Sequence, residues 1–133
     1  MHRFIQIICY LSLVFCSGSV IAASDFDGSK PLVCAIVEVL DCGLQDRCDR
    51  VNPEFVNLPD IFKINFNNKE MSGGDRTTNF KHLVHEEGNT IIHGTSGNGR
   101  GWSLLLSEQT GKFTGAVAGV EYGFLIFGSC TLD

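Results

Sequence analysis

Residues 80–93 read FKHLVHEEGNTIIH, two apolar runs flanking Glu-Glu-Gly-Asn. That composition predicts a β-hairpin, because Gly and its polar neighbours supply the left-handed backbone a tight turn requires. With Glu87 and Gly88 in the turn, His82 stands directly across from His93; with the turn at Gly88 and Asn89, His82 faces Thr95 instead. Working outward, residues 61–68 (IFKINFNN) place Phe62, Ile64 and Phe66 in alternation with Lys63, Asn65 and Asn67. Period two is the mark of a strand with one dry and one wet face. Residues 102–106 alternate in the same way, residues 113–120 form a small-residue strand, and residues 122–130 close the chain. Residues 32–40 (LVCAIVEVL) are a continuous β-rich run, expected as a strand buried on both faces or crossing under a loop.

Between these runs, residues 71–79 (MSGGDRTTN) read as a loop, and NPEFVNLPD, with two prolines, as an irregular connection. Leu44, Cys48 and Val51 have helical spacing, so at most one short helix is expected, near residues 43–51. The predicted fold is all-β: about seven strands in a small antiparallel meander, closed into a barrel or a flattened sandwich.

The chain is 133 residues long. Residues 1–22 combine a basic start, an apolar run and a small-residue exit, the pattern of a secretory signal peptide. Residues 23–31 are expected as a flexible lead-in, and residues 32–133 as a single disulfide-stabilised β domain. Removing the leader takes away Arg3 and no acidic residue, leaving nine basic against 15 acidic side chains, a charge of −6. That balance argues against nucleic acid as a partner, which needs clustered Lys and Arg. No second apolar stretch of spanning length occurs, so no stable membrane insertion is expected after cleavage, and the mature protein is placed in the periplasm or outside the cell.

Four of the six cysteines lie beyond the leader: Cys34, Cys42, Cys48 and Cys130. In an exported chain they read as two disulfides. If residues 32–40 form a strand, Cys34 and Cys42 lie roughly 25 Å apart at ~3.3 Å per residue, too far to bond. The favoured pairing is Cys42 with Cys48 and Cys34 with Cys130. The rival, Cys34 with Cys48 and Cys42 with Cys130, gains ground if residues 43–51 are helical.

GRGW at residues 99–102, TG at residues 110–111 and FGSCT at residues 127–131 resemble a group of small exported bacterial proteins of unknown function. The resemblance covers the C-terminal third most clearly. It implies export and a shared fold, and it brings no activity and no site residues with it.

The glycine-rich stretch at residues 94–101, GTSGNGRG, invites a phosphate-loop reading. A Walker loop needs Lys and then Ser or Thr ahead of a helix, whereas here Arg100, Gly101 and Trp102 lead into a strand pattern. A dinucleotide fingerprint fails for the same reason. Asn98 stands where a serine-hydrolase elbow needs glycine. The stretch is read as a bend between strands, with Gly97, Asn98 and Gly99 expected at positive φ.

The sequence therefore predicts a binding protein rather than an enzyme, with no cofactor. As a carrier it would hold a small apolar ligand inside the barrel, lined by Phe62, Ile64, Phe66, Trp102 and Phe124; those side chains can equally fill a narrow barrel. As an interaction or inhibitor module it would present the 94–101 loop, Asn98 and Arg100 foremost, to an exported or host protein. A third reading is a metal site on His82 and His93, completed by a carboxylate such as Glu86.

Overall fold

The computed structural model describes residues 23–44 and 47–133; the expected signal peptide lies outside the described residues. Nine antiparallel strands follow in chain order: β1 (Leu32–Gly43), β2 (Asp49–Val51), β3 (Ile61–Asn65), β4 (Glu70–Gly73), β5 (Arg76–Glu86), β6 (Asn89–Thr95), β7 (Gly101–Ser107), β8 (Lys112–Ala118) and β9 (Tyr122–Leu132). From β3 to β9 each strand pairs with the next, and β1 pairs with both β3 and β9, which closes an eight-stranded barrel. The ninth strand, β2, lies outside this ring, against the far end of β1 (Val39↔Val51). Closure removes the free edges that an open sheet would expose.

The two strands beyond the expected seven come from segments read otherwise. Residues 71–79 are not a loop: they hold most of β4 and the start of β5, joined by a two-residue turn at Gly74 and Asp75. Gly73, Gly74 and Asp75 are turn formers, and they masked the short strand on either side of them. Residues 49–51 form β2 rather than the end of a helix, and the one helical turn, a 3-10 turn at Pro53–Val56, sits later, where Pro53 at its start fixes φ.

The hairpin that anchors the fold is in the first of its two predicted registers. Glu87 and Gly88 both have positive φ (49° and 76°), as a type I′ turn requires. Glu86 pairs with Asn89 and His82 with His93.

Two bulges explain why periodicity blurred. Between Ile36 and Glu38 the register of β1 against β9 shifts by one residue. Leu32 and Cys34 point inward before the shift, Val39 after it, and Val37 is 77% exposed at the bulge itself. The continuous run of residues 32–40 is thus a strand that swaps faces, not one buried on both. A second shift between Phe80 and His82 turns β5 over in the same way, from an inward Phe80 to an inward Leu83.

The barrel is filled at one end. Leu32, Ile64, Phe80, Ile92, Leu106 and Phe113 are buried there with the Cys34–Cys130 disulfide, and Phe113 packs edge-on against Phe62 at 5.5 Å. Residues 24–30, expected as a flexible lead-in, lie against this end. Phe26 packs on the core, the Ser24 hydroxyl donates to the Glu108 carbonyl, and Lys30 pairs with Asp25 at 2.8 Å. Cys34 and Cys130 are direct cross-strand partners, so their disulfide ties the first barrel strand to the last. Cys42 and Cys48 close the short loop between β1 and β2. Both bonds match the favoured pairing, and the rival connectivity falls with the helix it required. Among the described residues no helix is long and apolar enough to cross a membrane.

Candidate functional site: the open mouth of the barrel

The other end of the barrel is hollow. A cavity of about 330 Å³ opens there, at the low end of the range that holds small ligands. Its walls follow from the inward parity of each strand: Ile36 from β1, Phe62 from β3, Met71 from β4, Trp102 and Leu104 from β7, Val117 from β8, and Phe124 and Ile126 from β9. Val56, Leu58 and Pro59, from the connection between β2 and β3, complete one side. These prolines and the 3-10 turn keep that segment off the barrel strands, and the backbone N–H of Ile36 anchors it by donating to the Asp60 carbonyl at 2.9 Å.

Trp102 forms much of the wall. It pairs with Gly94 on one side and Val117 on the other. Its indole ring covers Gly94 so closely that a Cβ at that position would overlap it. Glycine is therefore needed at position 94 for room rather than for backbone freedom. The residue is half-buried: both a packed side chain and a surface a ligand would touch.

Two charged side chains line the cavity, Arg76 and Arg100, and no Asp or Glu does. Arg76 opens β5; its one acidic neighbour among the described residues is Asp75, at 3.9 Å and fully in solvent. Arg100 ends the loop between β6 and β7. Its Nε donates to Asn98 Oδ1 at 3.0 Å, and its guanidinium lies 5.9 Å from the centre of the Tyr122 ring. The Ser96 hydroxyl donates to the same Asn98 oxygen at 2.6 Å, and the Ser96 N–H bonds the Arg100 carbonyl at 2.9 Å. The loop is the strand-to-strand bend expected, with one correction: of the three residues expected at positive φ only Gly99 has it (79°), while Gly97 and Asn98 do not.

Of the five predicted lining residues, Phe62, Trp102 and Phe124 face the cavity. Ile64 and Phe66 do not: Ile64 is fully buried in the filled half, and Phe66 packs against Phe80 at 6.5 Å. Strand periodicity placed all of them on the inner face, but it could not say at which height the barrel is full. Arg76 was missed because it stands within the stretch read as a loop. Arg100 was singled out for its loop, and Asn98 serves it as a hydrogen-bond partner.

His82 and His93 do stand side by side on the outer face. Glu86, four residues along β5, is about 13 Å from His82 at ~3.3 Å per residue and too far to share a metal with it. Among the described residues no three His, Cys, Asp or Glu side chains gather closely enough to hold a metal ion. His85 points to the opposite face, where its Nδ1 lies 2.8 Å from Glu108 Oε1 and 3.0 Å from the hydroxyl of the fully buried Thr90. Thr90 in turn donates to Glu108 Oε1 at 2.9 Å. This cluster belongs to the filled end and does not line the open cavity.

No protein-family model, no curated protein and no solved structure matches the chain.

Proposed function

We propose that this protein is an exported carrier that holds a small apolar ligand in the open half of its barrel. The observation that carries the reading is the 330 Å³ cavity walled by Phe62, Trp102, Leu104 and Phe124. A barrel of eight strands is narrow enough for side chains to fill it completely, and here only one half is filled. Apolar walls favour a ligand by removing its surface from water, at about 25 cal/mol per Å² before the costs of association. Export is supported by two disulfides, which persist in oxidising compartments. The alternative reading, an inhibitor or interaction module that presents the 94–101 loop to another protein, draws on the same Arg100.

Trp102 is the only tryptophan in the chain and stands in the cavity wall, so it reports occupancy. Titration with the neutral apolar dye N-phenyl-1-naphthylamine is expected to give saturable energy transfer from Trp102. Transfer should weaken in Val117→Phe, where a larger ring takes up cavity volume. The absence of saturable transfer, or equal transfer in Val117→Phe, would sink the carrier reading and leave the interaction module. Intact mass of the exported protein tests leader removal and the loss of four thiol hydrogens in the same preparation.

A further inference from the structure

The cavity's charge runs against that of the molecule. The chain carries 15 acidic and 10 basic residues, yet the two charged side chains that line the cavity are both arginines. They come from different elements, Arg76 from the start of β5 and Arg100 from the loop before β7. Arg100 is pre-positioned: Asn98 Oδ1 accepts from its Nε and leaves its terminal nitrogens free of carboxylate partners among the described residues. Arg76 has only the exposed Asp75 nearby, at 3.9 Å. The lining also offers a hydroxyl in Thr78, which shares the inward parity of Arg76. An apolar pocket with guanidinium groups and a hydroxyl among its walls matches a molecule with an apolar body and one acidic group.

Resting on the carrier reading, we infer that the ligand is an amphiphilic organic anion. Its apolar body sits among Phe62, Trp102 and Phe124, and its carboxylate, sulfonate or phosphate ester is held by Arg100 and Arg76. Arginine suits this task because its planar, permanently charged fork donates two parallel hydrogen bonds to such a group.

Two dyes with one aromatic body test it: N-phenyl-1-naphthylamine, which is neutral, and 1-anilinonaphthalene-8-sulfonate, which adds a sulfonate. The wild type is expected to bind the sulfonate about tenfold or more tightly than the neutral dye, the range of a charge-assisted hydrogen bond. That ratio should fall towards one in Arg100→Gln and in Arg76→Gln, and reverse in Arg100→Glu. It should hold in Lys112→Gln, a charge change at the filled end. Added salt should weaken sulfonate binding selectively, since the guanidinium groups are partly exposed. If both dyes bind with equal affinity and the arginine variants leave the ratio unmoved, the anion inference is overturned while the carrier stands. If the neutral dye shows no saturable binding, it is the carrier reading that has failed.

Discussion

Gly94 and Trp102 face each other across β6 and β7, and the indole ring occupies the space where any other residue at position 94 would place its Cβ. The position of the cavity wall therefore depends on the absence of one side chain. Gly94→Ala is expected to force the ring off its neighbour, either into the cavity or away from the strand, at a cost of about 1–3 kcal/mol, as overpacking does. A shifted Trp102 emission together with weaker binding of the neutral dye would bear this out; unchanged urea unfolding and emission would show that the wall yields without cost.

The two disulfides differ in the length of chain they close, 96 residues for Cys34–Cys130 and 6 for Cys42–Cys48. By the chain-entropy model the first contributes about 4–5 kcal/mol and the second about 2–2.5 kcal/mol. Unfolding of the Cys34→Ala/Cys130→Ala and Cys42→Ala/Cys48→Ala proteins in urea gives the comparison directly. Greater loss from the second pair would mean that the barrel seam between β1 and β9 holds without its covalent tie.

Thr90 is fully buried, and its hydroxyl meets two partners, His85 and Glu108. Thr90→Val removes the hydroxyl and leaves those groups to find water at the filled end. A loss of about 1–3 kcal/mol is expected. A variant as stable as the wild type would assign the Thr90 hydroxyl no part in stabilising the filled end.

Hydrogen bonds from the Ser29 side chain and backbone N–H hold the Asp27 carboxyl below its ordinary value of 3.8. A group whose folded pKa is depressed contributes stability above its unfolded pKa and loses it as pH falls through the folded one. The stretch at residues 24–30 should thus loosen only in strong acid. Carboxyl NMR titration is expected to place Asp27 below 3.8 and to bring it back up in Ser29→Ala. Because Asp27 is partly exposed, the midpoint of global unfolding should move little.

His82 and His93 form a cross-strand pair without a third ligand beside them among the described residues. Zinc added to the dialysed wild type is expected to leave its melting temperature unchanged. In Val84→His, where an outward position two residues from His82 gains an imidazole, zinc should raise it in proportion to the logarithm of metal concentration. A zinc-dependent rise in the wild type would restore the metal reading.

Much of the architecture was legible because it is local. Alternation at Phe62, Ile64 and Phe66 marks an inner strand face whatever the strand packs against. The residues at 86–89 marked the hairpin and narrowed its register to two, of which the structure has the one with Glu87 and Gly88 in the turn. Strand length excluded a Cys34–Cys42 bond, since an extended chain keeps those residues apart, and so favoured the pairing found over its rival without excluding the rival.

What the sequence by itself determined, then, was the strand class, the presence of the anchoring hairpin and the exclusion of a Cys34–Cys42 bond, all governed by interactions within a few residues or by chain geometry. Only the tertiary structure decided where the strands swap faces and at which height the barrel is full. The bulges beside Val37 and Lys81 exist only relative to a partner strand, so no count along one strand reveals them. Ile64 and Phe124 both read as inner-face residues; one is sealed in the filled half and the other walls the cavity, with Phe113 of the filled half packed edge-on against Phe62 of the cavity wall. Arg76 and Arg100 are 24 positions apart in the chain, and the antiparallel pairing of β5 with β6 and β6 with β7 brings both to one mouth.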